Sequence, residues 1–177
     1  DYMVKAVREA KVHTSWINPN PSYENGLLKF IDAVVSAHPK DPFMKDFLRF
    51  RERVTYFGML NSLSQTLLKI ASPGVPDFYQ GTEIWDFSLV DPDNRRPVDF
   101  GARKKMLGIL KEKIEKAGFG LRGFCRELLR NWEDGMIKLY VTFKALNDRR
   151  KNSQVFKEGD YVPLMAHGEL KEHVCAF

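Results

Sequence analysis

Over residues 1–72 apolar side chains recur at the three- and four-residue intervals of a helix, and prolines mark where each period breaks. Residues 2–12 set Met3, Val4, Val7 and Val12 among Lys5, Arg8, Glu9 and Lys11, which predicts a short amphipathic helix. Pro19 and Pro21 end it by forcing their predecessors out of helical geometry. Ser22 is the expected N-cap of a second helix running through Leu27, Leu28, Phe30, Ile31, Val34 and Val35 to His38-Pro39. Asp41 as N-cap and Pro42 in the first turn open a third helix that keeps its period to Ala71. After Tyr56 this helix turns apolar on more than one side, so its second half is expected to be buried, or broken near Gly58.

The pattern then changes. Residues 75–80 are short, aromatic and β-prone between Gly74 and Gly81, which predicts a buried strand after a helix, with Pro76 at its start. Residues 82–97 show neither period and read as loop. Helices are predicted over residues 99–117, closed by Gly118, over 121–132, and over 136–153 after Asp134-Gly135. Residues 161–164 and 172–177 read as two strands around a Gly168 turn, the second cut off at Phe177, so the natural sequence is expected to continue. The fold class this predicts is mainly α with few strands, an α+β inventory. A lone interior strand cannot satisfy its own backbone groups, so the chain reads as a fragment.

Composition narrows the class. An apolar fraction of 44% in 177 residues is enough for a packed core and argues against a disordered tail. The net charge of +5 is spread along helices with acidic neighbours at helical spacing, as in Lys111-Glu112-Lys113-Ile114-Glu115-Lys116, so it reads as a solvated surface and not a nucleic-acid site. No apolar run has the length of a membrane span and no leader is visible, so a cytoplasmic protein without a membrane partner is expected. Cys125 and Cys175 sit in apolar contexts and are expected as buried, reduced thiols. His13, His38, His167 and His173 are dispersed, which supports neither a metal site nor a histidine-activated nucleophile, and no cofactor is called for.

The chemistry-bearing stretch is residues 74–99. It concentrates Asp77, Glu83, Asp86, Asp91, Asp93, Asn94, Arg95, Arg96 and Asp99 with Tyr79, Trp85 and Phe87. Sugar hydroxyls need paired donors and acceptors while the apolar sugar face stacks on aromatic rings, so this mixture suits a carbohydrate site. A loop that folds itself by internal Asx and Arg hydrogen bonds explains the same composition, and the residues alone do not choose between the two.

A segment ending Pro76-Asp-Phe-Tyr-Gln-Gly-Thr-Glu83 resembles the eighth barrel strand of the α-amylase superfamily, glycoside hydrolase family 13. Its continuation Trp85-Asp-Phe-Ser-Leu-Val-Asp-Pro-Asp-Asn-Arg-Arg-Pro-Val-Asp99 resembles the maltooligosyl trehalose synthase family in particular. Lys5-Ala-Val-Arg-Glu-Ala-Lys-Val-His-Thr-Ser-Trp-Ile-Asn-Pro-Asn20 and Phe156-Lys-Glu-Gly-Asp-Tyr-Val-Pro-Leu164 resemble that family in the same order, so the likeness covers nearly the whole chain.

The resemblance implies the last part of a (β/α)8 TIM barrel with helical insertions and the start of a carboxyl-terminal β domain. The implied division is a helical segment over 1–72, the last barrel strand, substrate-side loop and following helices over 73–157, and a truncated β domain over 158–177. It implies an isomerase that turns the reducing-end α-1,4 linkage of a maltooligosaccharide into an α,α-1,1 linkage by intramolecular transglucosylation. The family's three carboxylates come from earlier barrel strands, so no catalytic role falls on this chain, which alone is expected to be inactive. Substrate contacts are implied for Tyr79, Gln80 and Glu83 past the strand end, and for Asp93, Asn94, Arg95 and Arg96 beside the acceptor subsites. Trp16 and Asn18 are further candidates for the cleft, against a packing role for the tryptophan. The rival readings are another hydrolase or glucan transferase of the superfamily, and a non-catalytic glucan-binding or scaffold module.

Overall fold

The computed structural model describes residues 1–39, 41–174 and 176–177, so Cys175 lies outside the described residues. Among these the chain is mainly helical: α1 (Tyr2–Ala10), α2 (Pro21–Val35), α3 (Pro42–Ala71), α4 (Phe100–Ala117), α5 (Leu121–Arg130), α6 (Met136–Lys151) and α7 (Ser153–Glu158). It divides into two compact units, Asp1–Leu60 with Asp86–Val98, and Asn61–Trp85 with Asp99–Phe177.

Side-chain caps set the starts of α2, α3 and α4. The Asp41 carboxylate accepts from the Phe43 and Met44 amides at 2.9 and 3.3 Å, and Asp99 accepts from Ala102 at 2.8 Å, as the pattern predicts. The second helix starts earlier than expected. Asn20, not Ser22, is its N-cap, accepting from Tyr23 at 3.1 Å, with Pro21 in the first turn where its missing N–H costs nothing.

The first unit has little apolar interior. Its buried side chains are Thr14, Glu24, Met44 and Met59, and α1 packs on α2 around the polar pair among them. Along α3, Phe43, Phe47, Phe50, Val54 and Phe57 recur at four- and three-residue steps and are all about half or more exposed. The helix does not break at Gly58, and its second half is not uniformly buried: Leu67 and Leu68 stay exposed while Thr66 and Ile70 are buried. The sequence makes this helix apolar on several sides, and among the described residues its buried positions are Met44, Met59, Thr66 and Ile70.

The second unit carries the core. Leu110 of α4, Phe124 and Leu128 of α5, and Ile137 and Leu139 of α6 form one cluster, with Leu63, Ile84, Trp85 and Trp132 packed against it. Leu110 is completely buried, worth about 1.5–3 kcal/mol relative to leaving it exposed. Gly135 opens α6 at φ 77°, and a Cβ there would lie 3.0 Å from the Ile84 Cβ and 3.3 Å from the Trp85 amide. That close approach lets the Trp85 indole donate to the Trp132 carbonyl at 2.6 Å.

Strand is nearly absent. Residues 75–80, predicted as a buried strand, form none, because no described segment lies alongside to pair with them. Of the two strands expected around Gly168, a single antiparallel bridge forms, Leu164 to Ala176. The last long helix is two, since α6 ends at Lys151 and α7 starts at Ser153. Among the described residues no helix is long and apolar enough to cross a membrane.

Candidate functional site

The predicted contact residues fall into two groups, one in each unit. In the first unit, residues 86–98 fold largely on their own carboxylates. Asp86 accepts from the Ser88 amide at 2.9 Å, and Asp93 accepts from the Leu89 amide at 2.7 Å through one oxygen and faces the Arg96 guanidinium at 3.2 Å through the other. Arg96 also donates to the Asp93 carbonyl at 3.1 Å and the Ser88 hydroxyl at 3.4 Å. Asp93 to Arg95 form one 3-10 turn, in which Asn94 is half-buried. Asp91 and Arg95 pair at 2.6 Å, and the hydrogen bond from Arg95 holds the Asp91 carboxyl below its ordinary range.

The Asp91–Arg95 pair lines a recess of about 440 Å³ with Val4, Lys5, Trp16 and Pro92. Lys5 donates to the Asp91 carbonyl at 2.5 Å, which ties α1 to the loop. Of the four predicted loop residues Arg95 lines this recess, while Asp93 and Arg96 engage each other.

A buried polar network stands behind Trp16. Arg8 of α1 donates through two nitrogens to the two oxygens of Glu24 on α2, at 2.8 and 2.7 Å. The Thr14 hydroxyl donates to Glu24 at 2.7 Å and accepts from the Asn20 amide at 2.9 Å. The Arg8 hydrogen bond, then that of Thr14, lowers the Glu24 carboxyl from about 4.5 to about 2, so it stays ionised. The Arg8 guanidinium sits 4.9 Å from the Trp16 ring centroid, and Trp16 as a residue is 56% exposed. Asn18 donates its backbone amide to the Ser15 hydroxyl at 2.9 Å and serves the turn.

In the second unit, Thr82 donates its amide and hydroxyl to the Tyr79 carbonyl at 3.2 and 2.7 Å, closing the turn that presents Tyr79 and Gln80. Tyr79 lines a second recess of about 430 Å³ with Gln65, Lys69, Asp77, Phe78 and Lys138. The Lys69 ammonium lies 4.0 Å from the Phe78 ring centroid. Gln80 is exposed on the turn, and Glu83 is taken by Arg103 of α4, which also donates to the Gly81 carbonyl. Glu83 therefore fixes the turn. Tyr140 is raised above its usual range by burial, with the half-buried Cys125 thiol 3.9 Å from its hydroxyl.

Lys5, Lys69, Lys138, Arg103 and Arg149 are the residues sequence reasoning passed over. Lys5 and Arg8, three apart on one face of α1, carried a readable signal. Nothing in the pattern marked Lys138 as buried in the first turn of α6.

No protein-family model matches the chain. It is similar over 99% of its length, at 36% identity, to a Mycobacterium tuberculosis protein named as a maltooligosyl trehalose synthase, of which it spans 19%. A solved maltooligosyl trehalose synthase matches 98% of the chain at 40% identity with a TM-score of 0.77, and the enzyme from Arthrobacter ramosus matches 98% at 36% with 0.76. The chain covers 22% and 21% of those two structures. It thus has the mainly helical fold of one segment of these large proteins. In sequence and in fold it is similar to one segment of maltooligosyl trehalose synthases, spanning about a fifth of the relatives' length.

Proposed function

We propose that the chain is a segment of an enzyme that converts the reducing-end α-1,4 linkage of a maltooligosaccharide into an α,α-1,1 linkage. The observation that carries this is likeness along the whole chain to proteins of that name, in sequence and in fold. In the whole protein, residues 75–80 gain strand neighbours and become the eighth strand of a (β/α)8 barrel of glycoside hydrolase family 13. Residues 1–72 are then helical insertion and barrel helix, 73–157 carry the substrate-side loop, and 158–177 begin a β domain. The exposed aromatic stripe of α3 supports this, because a face of that size is normally covered.

The reaction is a retaining one. A carboxylate attacks the anomeric carbon, a second acts as acid and then base, and the released glucose re-enters through its own anomeric hydroxyl in place of water. These carboxylates belong to earlier strands. This chain supplies binding surface: Tyr79, Gln80 and Glu83 past the strand end, and Asp93, Asn94, Arg95 and Arg96 at the acceptor side. Glu83 acts through the Arg103 pair that fixes its turn. The setting is cytoplasmic, where thiols such as Cys125 stay reduced. Incubating the full-length gene product with maltopentaose tests the reading: reducing power falls, no glucose is released, and proton spectra gain α,α-1,1 anomeric signals. Release of glucose with a rise in reducing power would replace it with a superfamily hydrolase.

A further inference from the structure

We propose that the recess formed by Trp16, Lys5, Asp91 and Arg95 is a pyranose subsite with the Trp16 indole as its stacking platform. This deepens the functional reading above and rests on it for the ligand class.

Trp16 is the starting point. A loop tryptophan that is 56% exposed leaves a large apolar ring in water, and yet the chain commits a buried network to holding it there. The ring rests against the Arg8 guanidinium, which is fixed by its two hydrogen bonds to Glu24, which is fixed in turn by Thr14. Thr14 also receives the Asn20 amide, so the turn bearing Trp16 is tied at both ends. A binding surface held in place in this way loses little freedom when a ligand arrives.

The polar lining suits vicinal hydroxyls. Asp91 and Arg95 pair through one oxygen and one nitrogen, which sets an acceptor-bearing carboxylate and a donor-bearing guanidinium side by side on the lining. Lys5 is held on the Asp91 carbonyl. Lys5 and Arg95 stand against the Asp91 and Asp1 carboxylates around the space, so its lining side chains are of both signs. An aromatic face beside a balanced set of donors and acceptors selects a neutral polyhydroxylated ring. The Arg95 hydrogen bond that lowers the Asp91 carboxyl keeps that acceptor ionised at neutral pH.

The test uses the full-length gene product carrying W16A and W16F, with maltopentaose as substrate. Losing the platform removes binding common to ground and transition state, so W16A raises KM about tenfold with kcat within about threefold, and W16F stays within about threefold of wild type in both. Maltotriose quenches the wild-type tryptophan fluorescence, and the quench disappears in W16F. A W16A KM within about twofold of wild type overturns the proposal, as does a quench that survives in W16F or is reproduced by inorganic phosphate. If W16A fails to fold, the W16F quench alone decides. If the wild type forms no α,α-1,1 product but shows the Trp16-dependent quench, the subsite stands and the functional reading falls.

Discussion

Arg149 is the side chain on which the end of α3 depends. Its guanidinium donates to the carbonyls of Ile70 and Ser72 at 2.5 and 2.9 Å and also to that of Gly74. Helix ends leave carbonyls without partners, and here a cation from α6 takes them, so the hand-over from α3 to residues 75–80 is held by one residue. Arg149→Ala leaves two partly buried carbonyls unsatisfied. Hydrogen bonds to a charged group contribute about 1.5–3 kcal/mol each, less where water substitutes, and the favourable charge at a helix end adds about 0.3–1 kcal/mol. A loss of about 2–4 kcal/mol follows for the local structure, allowing for overlap between these effects. Hydrogen exchange of peptides covering residues 68–80 reads this directly: exchange should speed up roughly 30- to 700-fold there, with much smaller change in α5. Arg149→Lys should recover less than half of the effect in free-energy terms, since an ammonium lacks the fork that spans three carbonyls. A speed-up below about threefold over residues 68–80 would refute the staple, and an equal change across the whole unit would mean that no local hand-over exists.

Gly135→Ala places a methyl against Ile84 and Trp85 at a positive φ and should cost about 2–4 kcal/mol by urea unfolding, whereas Gly108→Ala, on an exposed helix surface with open space around it, should stabilise by about 0.5–1 kcal/mol. Equal effects would remove the close approach from the account. Glu24 is held below its ordinary value, so the stability it contributes is complete above about pH 4.5 and is lost as pH falls toward about 2. Thermal melts across that window should therefore show an acid limb that Glu24→Gln flattens, and an unchanged limb would count against the Arg8–Glu24 network. The Phe43–Phe47–Phe50 stripe should make the isolated chain self-associate in sedimentation, and Phe47→Lys with Phe50→Lys should reduce this; a monodisperse wild-type chain would contradict it.

What was legible in the sequence followed from local rules. Asp41 with Pro42, and Asp99 with Gly118, marked helix ends that the structure keeps, because caps act within a few residues. Asn20 took the place expected for Ser22 since Pro21 fixes the first turn one residue earlier. The strand at residues 75–80 failed for a different reason: strand propensity is a fit to neighbours, and the described residues contain none for it. The candidate site was partly readable. The Asp91 to Arg96 run stood out by composition; Asp93 and Arg96 fold the loop, and Asp91 and Arg95 line a recess. Arg103, Arg149 and Lys138 looked like ordinary charged helix faces, since nothing local reveals that distant carbonyls and a carboxylate meet the two arginines or that Lys138 is buried over the Trp85 ring.

The central claim is a linkage rearrangement inside one glucan, with glucose and not water as the acceptor. The measurement that tests it most directly is to incubate the full-length gene product with maltopentaose in water enriched in heavy oxygen and weigh the products. The account predicts a non-reducing product of unchanged mass with no heavy oxygen in it. Heavy oxygen appearing in shortened reducing oligosaccharides as the main product, with no α,α-1,1 linkage formed, would contradict it.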